Sequence, residues 1–292
     1  MPPKAGDVAA DRFCTAEGIV IFEGKPHKEK VLYGNLLWDG ALALCRFFAS
    51  EWSPAVAGKS ALELGAGTGV VGLTLGHLGA APVCITDSEK ELLPLMEQNI
   101  QANSLGSCTI ARRLDWGDET SYMHEKPDLL VAADVLYEGD GSLFARAVAG
   151  HLGMRSEAYV ANHHNPKNCE ATLGFLRAVL QKGMEVQRLE DAEGFALGCL
   201  QSRSGFRDAR FVSLGRDVEA ALRSVRDARF RERDLSPMKH IQIFRLTWSV
   251  LDAFVDKIAR VSGHRAGKAE LSLLLRELTA QETKTSRRTK SM

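Results

Sequence analysis

The 292-residue sequence lacks a long apolar segment of the kind that crosses a membrane. No stretch reaches the roughly 20 apolar residues that a bilayer requires, and residues 1–7 carry no apolar run typical of a signal peptide. Net charge is absent as well, because 37 Lys and Arg balance 37 Asp and Glu. Overall charge therefore indicates neither an acidic nor a basic partner. We expect a soluble, intracellular protein with a cytoplasmic location.

Paired cysteines are also missing. The six cysteines are scattered, and no two form a C-x-x-C pair. A thiolate zinc site therefore lacks its usual spacing, and no metal is predicted. Several cysteines lie in apolar runs, where a buried free thiol is the ordinary outcome and a disulfide is not expected.

Hydrophobic patterns alternate between strands and helices from residue 60 onward. Strands are predicted at 60–64, 82–86, 108–114, 128–133, 157–161, 184–189 and 240–248. Helices are predicted at 36–50, 70–78, 89–103, 143–152 and 169–182. This alternation indicates βαβ units and a mostly parallel sheet, an α/β fold.

Two further regions flank or interrupt this pattern. Residues 1–35 are predicted to be a leader with one short strand at 19–22, and the main domain spans 36–248. Within it, residues 201–237 contain nine arginines interleaved with six acidic residues. That mixture favours a solvated or salt-bridged helix pair over a surface that recruits an acidic partner or nucleic acid. Residues 249–292 are predicted to be a helical extension with a basic tail.

The segment 61–72 is the strongest local motif, since a buried strand runs into glycines and then into a helix. Residues 67–72 match the G-x-G-x-x-G dinucleotide fingerprint, which predicts an NAD-dependent oxidoreductase. Beginning earlier, the same segment is an E-x-G-x-G-x-G loop typical of methyltransferases. In that interpretation a strand-ending glutamate is followed by three cofactor-lining glycines, here Glu63, Gly65, Gly67 and Gly69.

Polar and aromatic residues elsewhere favour the second interpretation. Asp87 ends the second strand, where a carboxylate accepts hydrogen bonds from ribose hydroxyls in either case. Trp38 precedes the first strand, Trp116 follows the third, and Asp134 and Tyr137 follow the fourth. Ligands of open α/β sheets bind at these carboxyl edges, and a dehydrogenase leaves the residues unexplained. The alternatives are that the tryptophans are core aromatics and that Asp134 caps the next helix.

Taken together, these motifs resemble those of the seven-strand protein-lysine methyltransferases, in the branch labelled nicotinamide N-methyltransferase-like. Some members of that branch are similar to elongation-factor methyltransferases. The resemblance covers about residues 30–190 and 240–248. The motifs that carry it are YGNLLWD at 33–39, LELGAGTG at 62–69, ITD at 85–87, LDWG at 114–117 and ADVLY at 133–137. It implies a doubly wound, seven-stranded, Rossmann-like sheet with a last antiparallel strand, and it makes 36–248 the methyltransferase domain.

The resemblance, with the glycine loop, implies S-adenosyl-L-methionine as cofactor. The expected cofactor-binding residues are Trp38, Glu63, Gly65, Ala66, Gly67, Gly69, Asp87, Trp116 and Ala133. Asp134 and Tyr137 match the D-x-x-Y signature of the family, and both are predicted to be catalytic. Asp134 is expected to hold the incoming amine, and Tyr137 is expected to shape its channel.

The resulting hypothesis is N-methylation of a lysine, or of an N-terminal amine, in a protein substrate. A translation elongation factor or another abundant cytosolic protein is the expected partner of a monomeric enzyme that binds neither membrane nor nucleic acid. One alternative is a nicotinamide-like small-molecule acceptor, and another is a non-catalytic cofactor-binding scaffold. The histidines at 163 and 164 either face the substrate or form a turn, and the latter is favoured.

Overall fold

The computed structural model describes residues 12–24, 32–50, 53–163, 168–190, 210–214 and 241–248. Its strands are β1 Arg12–Cys14, β2 Val20–Phe22, β3 Ala61–Leu64, β4 Val83–Asp87, β5 Thr109–Arg113, β6 Leu129–Ala133, β7 Glu157–His163, β8 Met184–Glu190, β9 Arg210–Ser213 and β10 Ile241–Trp248. Its helices are α1 Asp39–Phe48, α2 Val70–His77, α3 Leu93–Ala102, α4 Ser142–His151 and α5 Cys169–Gln181. The predictions for residues 1–11, for most of 201–237 and for 249–292 fall outside the described residues. None of the described helices combines the length and apolar character needed to cross a membrane.

The central sheet has the strand order β5-β4-β3-β6-β7-β10-β8-β9 in the described residues. Strands β3 to β7 pair in parallel with their neighbours, whereas β10 is antiparallel to β7. The predicted doubly wound sheet with a last antiparallel strand is confirmed. The strand β9 extends the expected seven strands at one edge, where it pairs antiparallel with β8. It comes from the arginine-rich segment, in which no strand was predicted.

Helices cover both faces of the sheet. On β7, Tyr159 packs against Phe47 and Phe48 of α1, while Asn162 donates a hydrogen bond to Thr172 of α5. Residues separated by an odd number along a strand point to opposite faces, so α1 and α5 lie on opposite sides. The inner strands β3 and β6 are therefore buried on both faces, and their residues are apolar except for Glu63.

Most element boundaries differ from the sequence prediction by one to four residues, and two of the differences have a clear physical reason. The helix predicted from residue 89 begins at Leu93, after a 3₁₀ turn at Lys90–Leu92. Pro94 explains the late start, because proline has no N–H to donate within a helix and is tolerated only in its first turn. Strand β7 runs two residues further than predicted, because β10 pairs with it as far as His163.

The strand predicted at 19–22 forms an antiparallel hairpin with β1, and the hairpin docks on α3. The side chains of Asn99 and Asn103 each bind one β2 residue through both amide atoms. Their Oδ1 atoms accept from the backbone N–H of Phe22 and Val20, both at 2.8 Å, and their Nδ2 atoms donate back to the carbonyls. Two asparagines one helical turn apart thus replace the neighbouring strand that β2 lacks on this side.

Candidate functional site

A cavity of about 750 Å³ lies where the chain order of the sheet reverses, between β3 and β6. This reversal is the ligand-binding position of open α/β sheets. Ten of the eleven predicted site residues line it: Trp38, Glu63, Gly65, Ala66, Gly67, Asp87, Trp116, Ala133, Asp134 and Tyr137. The tertiary structure therefore brings together residues that span a hundred positions of sequence.

Two glycines form the cavity floor after β3 because no other residue fits there. Gly65 and Gly67 have φ angles of +66° and +53°, in the left-handed region that side chains disfavour. A Cβ atom on Gly67 would lie 2.7 Å from the carbonyl oxygen of Gly34, and one on Gly65 would lie 2.8 Å from Val135. Both positions therefore leave bare backbone facing the cavity.

The glutamate next to the end of β3 holds the start of the following helix. Glu63 is buried, and its Oε2 accepts a hydrogen bond from the backbone N–H of Gly72 at 2.7 Å. This N–H belongs to the first turn of α2, so the carboxyl group supplies an acceptor for one of the donors that have no partner within that helix. Burial raises the pKa of Glu63 to about 8.

Gly69 differs from the other predicted cofactor residues because it does not line the cavity. It is the N-cap residue of α2, with φ +81°, and a Cβ there would lie 2.6 Å from Ile85 Cδ1. The repeated glycine spacing gave no sign that this residue serves helix packing. Its place in the motif is explained by the tight turn into α2.

Asp87 ends β4 with its carboxylate at the cavity wall. Oδ2 accepts from the backbone N–H of Gly67, and Oδ1 accepts from that of Glu89, each at 3.1 Å. A carboxylate oxygen has two lone pairs, so both oxygens retain acceptor capacity. Burial raises the pKa of this group, while the two backbone donors lower it.

Both predicted tryptophans line the cavity, and each is also packed by the protein. The ring of Trp116 lies 4.9 Å from that of Phe144, between centroids, and borders Gly65. The indole N–H of Trp38 donates to the carbonyl oxygen of Tyr33 at 2.9 Å. The alternative that both tryptophans are only core aromatics is therefore wrong. Each ring contacts other protein groups and also lines the cavity.

Asp134 occupies a constrained position just after β6. Its φ is +52°, a conformation that aspartate tolerates better than most residues. Oδ2 accepts from the backbone N–H of Gly40 at 2.6 Å, and Oδ1 accepts from that of His163 at 2.9 Å. Burial raises the pKa of Asp134, and these donors counteract the shift.

The capping alternative for Asp134 was right in kind but named the wrong helix. Its carboxylate accepts from the first turn of α1, whereas the N–H of Ser142 at the start of α4 donates to Asp140. The side chain therefore links α1, β6 and β7 at the cavity. No local sequence signal connects Asp134 with Gly40, which lies 94 positions away.

Several cavity residues were not predicted from sequence. Tyr33 and Gly34 lie in the YGNLLWD motif, and Leu143 lies in the first turn of α4. His163 is the last residue of β7 and lines the cavity, so the prediction of a turn is wrong for this residue. Residue 164 lies outside the described residues. The position of Tyr33 within the same YGNLLWD motif as Trp38 was the signal that could have identified it.

The charge of the lining is one-sided. Among the described lining residues, six carry carboxyl groups, one is histidine, and none is lysine or arginine. The six are Asp39, Glu63, Asp87, Glu89, Asp115 and Asp134. Of these, Glu63 is largely protonated at neutral pH, because burial raises its pKa to about 8. Asp115 also pairs with the exposed Arg113 at 3.5 Å. A ligand with positive charge fits this cavity better than an anionic one.

Comparisons with known proteins agree with the resemblance that the sequence motifs show. A protein-family profile described as lysine methyltransferase matches residues 26–164. EEF1A lysine methyltransferase 3 of Mus musculus is 37% identical over 57% of this chain and 71% of its own length. Protein N-lysine methyltransferase METTL21A of Mus musculus is 35% identical over 40% of this chain and 54% of its own length. The chain thus spans between about half and about seven-tenths of these two relatives. With the YGNLLWD, glycine-loop and D-x-x-Y residues gathered around one cavity, the chain belongs to the lysine methyltransferase family.

Proposed function

We propose that this chain transfers a methyl group from S-adenosyl-L-methionine to a lysine side chain of a protein substrate. The observation that carries the proposal is the cavity at the sheet reversal, whose described lining has six carboxyl groups and no lysine or arginine. The methyl donor of this family has a sulfonium cation, and a lysine substrate arrives as an ammonium. An acidic lining stabilises both cations.

The residues present fit the cofactor. Asp87 keeps acceptor capacity for two ribose hydroxyls at the end of β4. Gly65 and Gly67 expose backbone on the floor, and the ring of Trp116 offers a flat apolar surface for a base. We assign these residues to cofactor binding, with Trp38, Ala66 and Ala133 beside them and Glu63 as the support of the loop.

A dinucleotide fits less well. Its pyrophosphate needs free N–H groups at the start of the helix after the first strand. Here Glu63 accepts from the N–H of Gly72 in that turn, and Asp87 accepts from the N–H of Gly67. Two negative phosphates would also face the carboxyl groups of the lining. Both features argue against the oxidoreductase alternative.

When bound, the cofactor supplies a methyl group activated for direct displacement by an amine. Alignment of the two reactants accounts for much of such catalysis, up to about 7–11 kcal/mol in well-oriented systems. Asp134 is held rigidly by two N–H donors, and its charge attracts the ammonium to the cavity. The amine must lose its proton before attack, because its unperturbed pKa is about 10.4. Burial raises the pKa of Tyr137, so its hydroxyl stays protonated and can orient the amine.

The name of the mouse relative directs the first substrate test to EEF1A. The acidic lining disfavours a phosphate backbone, which supports a protein over a nucleic acid. A monomeric state and a cytoplasmic location stay predictions.

A thermal-shift titration with S-adenosylmethionine, S-adenosylhomocysteine and NADH tests the cofactor. A ligand at a hundred times its dissociation constant stabilises the folded state by about 2.7 kcal/mol. We expect the two adenosyl ligands to raise the melting temperature and NADH to leave it unchanged. A shift with NADH alone would favour the oxidoreductase alternative and contradict the proposal.

Transfer is tested with methyl-labelled S-adenosylmethionine on purified EEF1A and on a cell extract. We expect label on protein, located on lysine by mass spectrometry. Label only in the small-molecule fraction would favour the nicotinamide-like alternative. Cofactor binding without any transfer would favour the scaffold. Asp118→Asn, an exposed change outside the cavity, is the control variant.

A further inference from the structure

A buried histidine lies outside the cavity and takes no part in the proposed reaction. His151 is the last residue of α4, it is completely buried, and it does not line the cavity. Its Nδ1 donates to the carbonyl oxygen of Ala147 at 2.8 Å, and its Nε2 accepts from the backbone N–H of Met123 at 3.0 Å. This pair of bonds requires a neutral ring with its proton on Nδ1, and burial lowers the pKa of His151, which favours that form. Both ring nitrogens are therefore used, and one of them fixes α4 to the segment that contains Met123.

That segment, residues 114–123, directly follows β5, and we call it the Trp116 loop. Asp115 and Trp116 line the cavity. The hydroxyl of Tyr122 donates to the carbonyl oxygen of Trp116 at 2.8 Å, and the hydroxyl oxygen of Ser121 accepts from the backbone N–H of Asp115 at 3.0 Å. Two side chains near the end of the loop thus hold the backbone of the two residues that face the cavity.

Tyr122 is in turn held by α4. Its ring lies 4.6 Å from that of His151, between centroids. It also packs on the backbone of Gly150, where a Cβ atom would lie 2.7 Å from Cε2 of the tyrosine. Phe144 of the same helix contacts the ring of Trp116, with 4.9 Å between centroids. Residues seven positions apart lie on one face of a helix, so a single face of α4, from Phe144 to His151, supports both ends of the Trp116 loop.

We infer that Tyr122 and His151 are positioning residues, which hold Trp116 in the orientation that receives the base of the cofactor without touching the cofactor themselves. The inference rests on the proposed function, in which Trp116 offers the surface for the base. The hydrogen bond from Tyr122 fixes the backbone of Trp116, and the hydrogen bond from Met123 to His151 fixes the place of Tyr122. A loop that is ordered before binding loses little further entropy when the cofactor arrives. The two residues therefore raise cofactor affinity from outside the cavity.

Calorimetric titration of the full chain with S-adenosylhomocysteine tests the inference without any methyl acceptor. Tyr122→Phe removes only the hydroxyl, and we expect its affinity to be about threefold to tenfold weaker, the range that one hydrogen bond gives. Gly150→Ala should weaken affinity as well, because the new Cβ atom displaces the ring of Tyr122. Alanine is a better helix former than glycine, so a weaker α4 does not account for that loss.

Two variants of the histidine separate its hydrogen bond from its bulk. His151→Leu removes the acceptor for the N–H of Met123 and should weaken affinity by a similar factor. His151→Gln should restore affinity to near that of wild type, because the side-chain oxygen of glutamine can accept in place of Nε2. The control is Tyr159→Phe, which loses a hydroxyl that donates to Glu157 at 2.9 Å on β7, outside the cavity. It should bind S-adenosylhomocysteine as tightly as wild type does.

The orientation of the ring is measured by the indole N–H signal of Trp116 in NMR spectra of the free protein, assigned with Trp116→Phe. Tyr122→Phe should shift or broaden this signal. It should leave in place the signal of Trp38, whose N–H is donated to Tyr33 outside the loop. A loss of stability alone would lower the urea midpoint without moving the Trp116 signal of the folded protein.

Three outcomes would overturn the inference and leave the proposed function intact. They are an unchanged Trp116 signal in Tyr122→Phe, wild-type affinity for S-adenosylhomocysteine in both Tyr122→Phe and Gly150→Ala, and equal weakening in Tyr159→Phe. A wild-type protein that binds no S-adenosylhomocysteine would contradict the proposed function, and the inference would fall with it.

Discussion

At the residue scale, the cavity depends on a few positions whose backbone conformation admits one type of side chain. Gly67 and Asp134 both adopt positive φ, and each is fixed by atoms from a distant segment. Gly67 needs the absence of a side chain, whereas Asp134 needs two acceptor oxygens. These requirements predict different outcomes of substitution.

Gly67→Ala should abolish cofactor binding. The new Cβ would lie 2.7 Å from the carbonyl oxygen of Gly34, so the 33–39 motif must move away from the loop. Gly58→Ala is the matched control, because Gly58 has φ +76° but open space around its missing Cβ. We expect the control to lose about 1–2 kcal/mol of stability from the left-handed backbone alone and to keep its cofactor-induced thermal shift. Equal cofactor affinity in the two variants would contradict the close-approach argument.

Asp134→Asn should lower both stability and activity. An amide offers one acceptor oxygen, so the N–H of either Gly40 or His163 is left facing an NH₂ group. An unpaired buried donor costs about 1–3 kcal/mol, which urea unfolding would detect. We also expect kcat/KM for methyl transfer to fall at least tenfold.

Asp140→Asn makes the same charge change on an exposed carboxylate just before α4, where Oδ1 accepts from the N–H of Ser142. Asparagine keeps one acceptor oxygen for that N–H, so this control should stay close to wild type. An Asp134→Asn enzyme with wild-type kcat/KM would reduce the role of that carboxylate to folding.

At the element scale, the N-terminal hairpin contributes to the site through α3. Asn99 holds β2 and also donates from Nδ2 to the carbonyl oxygen of Thr68 in the glycine loop, at 2.9 Å. In addition, Glu23, which directly follows β2, accepts from the backbone N–H of Leu37 in the 33–39 motif at 2.6 Å. The hairpin is therefore connected to both of the segments that border the cofactor site.

Asn99→Asp and Asn103→Asp separate the two roles of this connection. Each change keeps an acceptor for β2 and loses the Nδ2 donor, but only Asn99 contacts the glycine loop. We expect both variants to lose about 1–3 kcal/mol of stability. Cofactor affinity, measured by calorimetry, should weaken clearly in Asn99→Asp and remain near wild type in Asn103→Asp. Equal weakening would show that the hairpin acts on the site by stability alone.

At the scale of the whole molecule, buried carboxyl groups make stability depend on pH. Burial raises the pKa of Glu63 from 4.5 to about 8, and it raises those of Asp87 and Asp134 as well. A carboxyl group with a higher pKa in the folded state binds its proton more tightly there. The free energy of unfolding therefore falls as pH rises from about 4.5 to 8 and levels off above that range.

Glu63→Gln should remove the share of this dependence that belongs to Glu63. For one proton the slope is about 1.4 kcal/mol per pH unit. The stability of the variant relative to wild type should therefore increase between about pH 5.5 and pH 8. Urea unfolding of both proteins across this range measures it. A difference that does not change with pH would mean that Glu63 is ionised throughout.

The sequence by itself determined the order of strands and helices and the positions that end each strand. Alternating apolar patterns are local, and a parallel sheet places all of its carboxyl ends on one edge. Asp87, Trp116 and Asp134 could therefore be assigned to one site before any contact was known. The glycine spacing was less informative, since it did not distinguish the cavity-facing Gly67 from the packing residue Gly69.

The tertiary structure decided what these residues touch. Asp134 accepts a hydrogen bond from α1 rather than from α4, Glu63 accepts one from the N–H of Gly72 at the start of α2, and Tyr33 packs edge to face against Tyr137. The edge strand β9 likewise had no local signal. Each of these features depends on two segments that come into contact only in the folded protein. Local propensity and periodicity along the chain therefore carry no information about these contacts. Periodicity fixes which face a side chain takes, and the packing of distant segments fixes its partner.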